Sequence, residues 1–167
     1  MIRKDNKGQI SVELLLLISI IIIIIIGVSI TLTNETELTK AMASARQGAT
    51  EGASINGLAI YPKESYDEYM DKNLDSMTHT KNIKIIKIDK KVQDKDALNK
   101  TRIQLKIYAH SPDIKTTDEK ETAGDRINYN VRKSISTSFN TQNLSNTLFN
   151  PAYTPHYSFT TTNVQWV

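Results

Sequence analysis

From Leu14 to Leu32 the chain is apolar at every position except Ser19, Gly27, Ser29 and Thr31, and it carries no charge. Seven consecutive isoleucines, Ile20–Ile26, form its centre. At 1.5 Å rise per residue the segment spans roughly 28 Å, close to the ~30 Å hydrocarbon thickness of a bilayer. Core helices of soluble proteins are rarely apolar on all faces over such a length, so the pattern predicts a membrane-spanning helix. Beyond it the period becomes amphipathic. Leu38, Met42, Ala45, Ala49 and Ala53 recur at spacings of three or four, which predicts one helix from Gln9 to about residue 53. Gly48, Gly52 and Gly57 are expected to loosen that helix, and Ile60-Tyr61-Pro62 to end it.

The remainder is polar and of mixed period. Tyr66, Tyr69, Met70, Leu74 and Met77 predict a short amphipathic helix over 63–76. Ile83, Ile85 and Ile88 suggest a strand, although Ile85-Ile86 breaks its alternation; Arg102–Tyr108 alternates cleanly. The polar interval Gln93–Lys100 would join these two as a hairpin, and Pro112 would end the second strand. Asp113–Asp125 reads as a charged exposed loop. Ile127, Tyr129, Val131 and Ile135 suggest a third strand, Asn140–Pro155 a long surface connection, and Tyr157, Phe159 and Thr161 a last strand running toward Trp166-Val167. The predicted class is α+β: a long N-terminal spine helix, apolar in its first half, with a small antiparallel sheet of about four strands as head domain.

The charges flanking the apolar run give it a direction. Arg3, Lys4 and Lys7 precede it, and Asn34-Glu35-Thr36-Glu37 follows. The positive-inside bias places the N-terminus in the cytoplasm and the C-terminal part outside. An ordinary secretory signal is cut after its apolar run. Here the order differs: Lys7-Gly8-Gln9-Ile10-Ser11-Val12-Glu13 puts a basic residue, a glycine and a Q-x-S-x-E string ahead of the run. That string resembles the processing motif of archaeal, specifically methanogen, type IV pilins with a class III signal peptide.

The resemblance implies cleavage between Gly8 and Gln9 by a prepilin peptidase, with Lys7, Gly8, Gln9, Ser11 and Glu13 as the processing motif. It divides the chain into a cytoplasmic leader (1–8), a spine helix (9–53) containing the membrane or filament-core segment 14–32, and an extracellular head (54–167). It further implies a pilin or minor pilin of a surface filament serving adhesion, self-assembled or co-assembled with other pilins. A pilus ATPase and membrane platform would be its other partners, and lipid its surroundings before assembly. Glu13 would be mature position five, the carboxylate that in such pilins compensates a neighbour's α-amine. The alternative from the residues themselves is an uncleaved single-pass anchor displaying an extracellular binding domain.

Three N-x-[ST] sequons, at Asn34, Asn99 and Asn143, are candidate glycosylation sites, with Asn99 and Asn143 in predicted loops. The chain has no cysteine, which excludes disulfides, thiolate metal sites and cysteine nucleophiles. Formal net charge is +3 and much of it lies in the leader, so no nucleic-acid partner is expected. His79, His110 and His156 are scattered, and His110-Ser111-Pro112-Asp113 reads as a turn. No phosphate-binding glycine loop occurs. An enzyme, a metal and a cofactor are all unexpected.

Overall fold

The structure, a computed structural model, describes the backbone of residues 6–54 and 82–167, with side chains from Val12 onward within those ranges. The helix predicted over 63–76, His79 and the break at Pro62 lie outside the described residues. The chain forms two units, one up to Glu37 and one from Leu38 to Val167. Helix α1 (Asn6–Ser54) contributes to both.

In the second unit the end of α1 presents a ridge of small side chains. Ala41, Ala45 and Ala49 are fully buried and Ala53 nearly so. Their spacing of four places them on one face of the helix. Gly48 and Gly52, expected to loosen α1, are instead helical and buried against helix α2 (Thr117–Ser138). Glycine there permits a close helix–helix approach; Ser44 and Ser138 hydroxyls meet across it at 2.7 Å.

Helix α2 overturns two expectations, a loop through Asp125 and a strand over Ile127–Ile135. Ile127, Tyr129 and Val131 do alternate, but Ile127, Val131 and Ile135, all at 0 % exposure, repeat every four residues and form a helical stripe. Asn128, Asn130 and Arg132 between them are buried too, because α2 contacts α1 and also packs with the sheet. Arg126 Nε donates to the Gly52 carbonyl at 2.8 Å, Asn128 Nδ2 to the Thr162 carbonyl at 3.1 Å, and Asn130 Nδ2 to the Arg126 carbonyl at 2.9 Å. Arg132 Nε donates to the Leu148 carbonyl at 3.1 Å, and burial lowers the Arg132 pKa while the nearby Asp125 charge opposes that shift. A capping box starts the helix: the Glu119 N–H donates to Thr116 Oγ1 at 3.2 Å, and the Thr116 N–H donates back to Glu119 Oε2 at 3.2 Å.

The sheet has five strands: β1 (Lys84–Lys95), β2 (Thr101–His110), β3 (Ala152–Tyr153), β4 (Tyr157–Thr161) and β5 (Gln165–Trp166). Strands β1 and β2 form the expected antiparallel hairpin, with Ile88 opposite Ile107 and Val92 opposite Ile103. A register shift between Ile85 and Lys87 absorbs the extra isoleucine, leaving Ile86 half exposed. Strand β2 alternates cleanly, burying Ile103, Leu105, Ile107 and Ala109. The sheet is mixed rather than antiparallel: β4 and β5 both run parallel to β2, while β3 pairs antiparallel with β4. The cause is α2. Had residues 127–135 been a strand, the chain would have turned back at each step; as a helix they carry it across to a parallel partner. The α+β class stands.

Candidate functional site: the N-terminal apolar helix

Lys7, Gly8, Gln9 and Ser11 lie on helical backbone at the start of α1, and their side chains are outside the described residues. Glu13 is exposed, one residue ahead of Leu14. From there the helix shows apolar side chains in every direction. Exposure runs from 43 % at Ile18 to 69 % at Ile23, and no part of its most apolar 18-residue window, of mean hydropathy 3.2, is buried within the chain. By length and composition it can cross a membrane.

Each leucine or isoleucine moved out of water contributes about 1.5–3 kcal/mol, so the segment as a whole represents on the order of tens of kcal/mol. That exceeds the entire folding stability of an ordinary domain. The helix therefore requires lipid or other apolar helices around it.

Its few polar side chains are compatible with such surroundings. Ser19 Oγ donates to the Leu15 carbonyl at 2.8 Å, Ser29 Oγ to Ile25 at 2.7 Å, Thr31 Oγ1 to Gly27 at 3.2 Å and Thr33 Oγ1 to Ser29 at 2.9 Å. Each hydroxyl thus spends its proton on the carbonyl one turn back, and none needs water. At Gly27 a Cβ would meet nothing within 4 Å, leaving a notch on the helix surface where a neighbouring backbone can approach. Glycine and the small hydroxyl residues were visible in the sequence only as interruptions of the apolar run.

The other residues singled out from sequence do not converge on this segment. Asn34 is half-buried and helical. Asn99 sits exposed at the β1–β2 turn with φ of 60°, and its Oδ1 accepts from Lys95 Nζ at 3.1 Å. Asn143 is exposed in a 3₁₀ turn, Gln142–Leu144. His110 Nδ1 contacts the Val167 carbonyl, and His156 is exposed in the turn before β4. His110–Asp113 forms a turn in which the Asp113 N–H donates to Ser111 Oγ at 3.3 Å. Among the described residues, no three His, Asp or Glu side chains converge as metal ligands.

Residues 6–32 match the family model of the class III signal peptide. A segment of this kind is characteristic of type IV pilin-like precursors cut by a prepilin peptidase; the match lies within the N-terminal helix and does not cover the rest of the chain. No curated protein and no solved structure matches the chain.

Proposed function

We propose that this protein is a structural subunit, pilin or minor pilin, of an archaeal-type type IV pilus-like surface filament that serves adhesion. The precursor sits in the membrane with Lys7 on the cytoplasmic side and the head outside. Cleavage between Gly8 and Gln9 removes the leader and leaves the apolar helix on the product. An ATPase and membrane platform then move the subunit from lipid into a bundle of like helices, its own or those of co-assembling pilins. In this partition residues 1–8 are leader, 9–53 the spine and 54–167 the head.

The observation that carries the reading is the apolar helix, exposed on all sides and directly preceded by the class III motif. A permanent anchor also needs an apolar helix, but it has no use for a processing motif ahead of it. Lipid is as apolar as leucine, so the filament must add something beyond hydrophobic burial. Close packing at small residues such as Gly27, and a charge pairing at Glu13, are suited to supply it. A carboxylate carried into a dry helical bundle costs several kcal/mol unless it is paired. Mature Glu13 meets that demand by pairing with the α-amine at Gln9 of a neighbour. Where Gln9 cyclises to pyroglutamate, another donor or a proton takes that place. In the head, Asn99 and Asn143 are the proposed glycan acceptors, being exposed and in turns.

Replacement of Glu13 tests the assembly role. Glu13→Ala is expected to insert and to be cut normally while yielding few or no filaments in sheared surface fractions. Wild-type filament yield from this variant would remove the proposed pairing.

A further inference from the structure

The face of α2 that carries Thr117, Glu121, Gly124, Asp125 and Asn128 forms one wall of a groove of about 490 Å³, closed on the other side by Asn163, Val164 and Trp166. Its size falls within the range of small-molecule sites. Gly124 keeps the wall low, since a Cβ there would already touch the Val164 side chain at 3.5 Å.

Asn128 is the groove residue whose amide the fold leaves half satisfied. It is 5 % exposed, its Nδ2 donates to the Thr162 carbonyl at 3.1 Å, and its Oδ1 is buried with no donor among the described residues. That oxygen has almost no accessible surface, so a hydroxyl or N–H in the groove reaches it only with a small turn of the Asn128 side chain, and pairing it then recovers a cost of the fold. Trp166 packs partly on the core and also lines the groove, offering an apolar ring beside polar groups. Glu121 and Asp125 add acceptors, and with Lys120 they give the described lining residues a formal charge of −1.

We infer that this groove binds a neutral or N-acetylated hexopyranoside. A pyranose has one apolar C–H face for the tryptophan and a rim of hydroxyls for Asn128 Oδ1 and the carboxylates. The negative lining disfavours uronic and other anionic sugars. A peptide is a poorer match, because among the described residues only Val164 and Trp166 bring large apolar side chains to the lining. The inference deepens the adhesive role proposed above by naming its ligand class. It is tested on dispersed full-length protein, where neither processing nor polymerisation enters.

Trp166 is the chain's single tryptophan, so its emission reports on the groove directly. The full chain, held in a zwitterionic detergent without a sugar headgroup, is titrated with methyl glycosides of glucose, galactose and N-acetylglucosamine, and with glucuronate. The expected result is a saturable change in emission with a midpoint of roughly 1–10 mM for at least one uncharged glycoside. Glucuronate should bind at least tenfold more weakly, as should the best glycoside to Asn128→Leu. In Trp166→Ala, whose unfolding temperature is checked alongside, saturation transfer from protein to glycoside by NMR should disappear. A strictly linear emission response to every glycoside overturns the inference. Equal midpoints in wild type and Asn128→Leu, or full saturation transfer in folded Trp166→Ala, overturn it as well.

Discussion

A Cβ placed on Gly48 would lie 2.4 Å from the carbonyl oxygen of Asn130, a backbone atom of α2 that cannot swing aside. The same holds at Gly52, where the nearest atom is Ile127 Cα at 2.8 Å. Either alanine must push the two helices apart. Gly48→Ala and Gly52→Ala are each expected to destabilise the head by about 1–3 kcal/mol, the usual range for overpacking. Gly124→Ala makes only ordinary contact with Val164 and gains helix propensity, so it should stabilise by about 0.5–1 kcal/mol. Thermal unfolding of the three variants should move in these opposite directions.

The capping box at Thr116 and Glu119 starts a helix whose first turn is exposed and highly charged. Thr116→Ala should cost about 1 kcal/mol, and Thr116→Ser should recover most of it, because serine supplies the same oxygen. Chemical denaturation of both variants checks this. An equal loss in both would mean that the threonine methyl, not the cap, matters.

How far this head was legible in its sequence is clearest at α2. The string Thr116-x-x-Glu119 is a helix-start signal in plain view, yet the charged run after it resembles a loop. Further along, Asn128 and Asn130 between apolar neighbours imitate strand alternation. A helix buried on more than one face loses its amphipathic signature, and buried asparagines read as outward-facing ones. With α2 taken for a strand, the sheet necessarily appeared antiparallel. Gly48 and Gly52 read as weak points because sequence does not reveal which neighbour a glycine admits. The β1–β2 hairpin was readable because β2 buries one face only. The apolar N-terminal segment was readable because no internal partner complicates its pattern. The groove beside Trp166 was not, since it joins residues that lie far apart along the chain.

The turn between β1 and β2 makes the head sensitive to acid. Partial burial pushes the Asp96 pKa up, but N–H donors from Lys100 and Leu98, the Ser158 hydroxyl and the Lys100 charge outweigh it, leaving the pKa below its ordinary value of 3.8. A carboxyl with a depressed folded pKa contributes stability that is complete above the unfolded value and is lost as pH falls through the folded one. The head should therefore weaken below about pH 4. Asp96→Asn should be less stable than wild type at neutral pH and should lose less on acidification. Unfolding temperatures of both proteins between about pH 2 and 7 test the sign; parallel curves would show that Asp96 is not responsible.

The central claim is that the apolar helix survives maturation while the residues before it do not. Intact-mass measurement of the protein taken from the native cell surface addresses this most directly. The account predicts a chain that begins at Gln9, as glutamine or pyroglutamate, and still contains Leu14–Leu32. A mass that retains Met1–Gly8, or one whose first residue lies beyond Leu32, would contradict it.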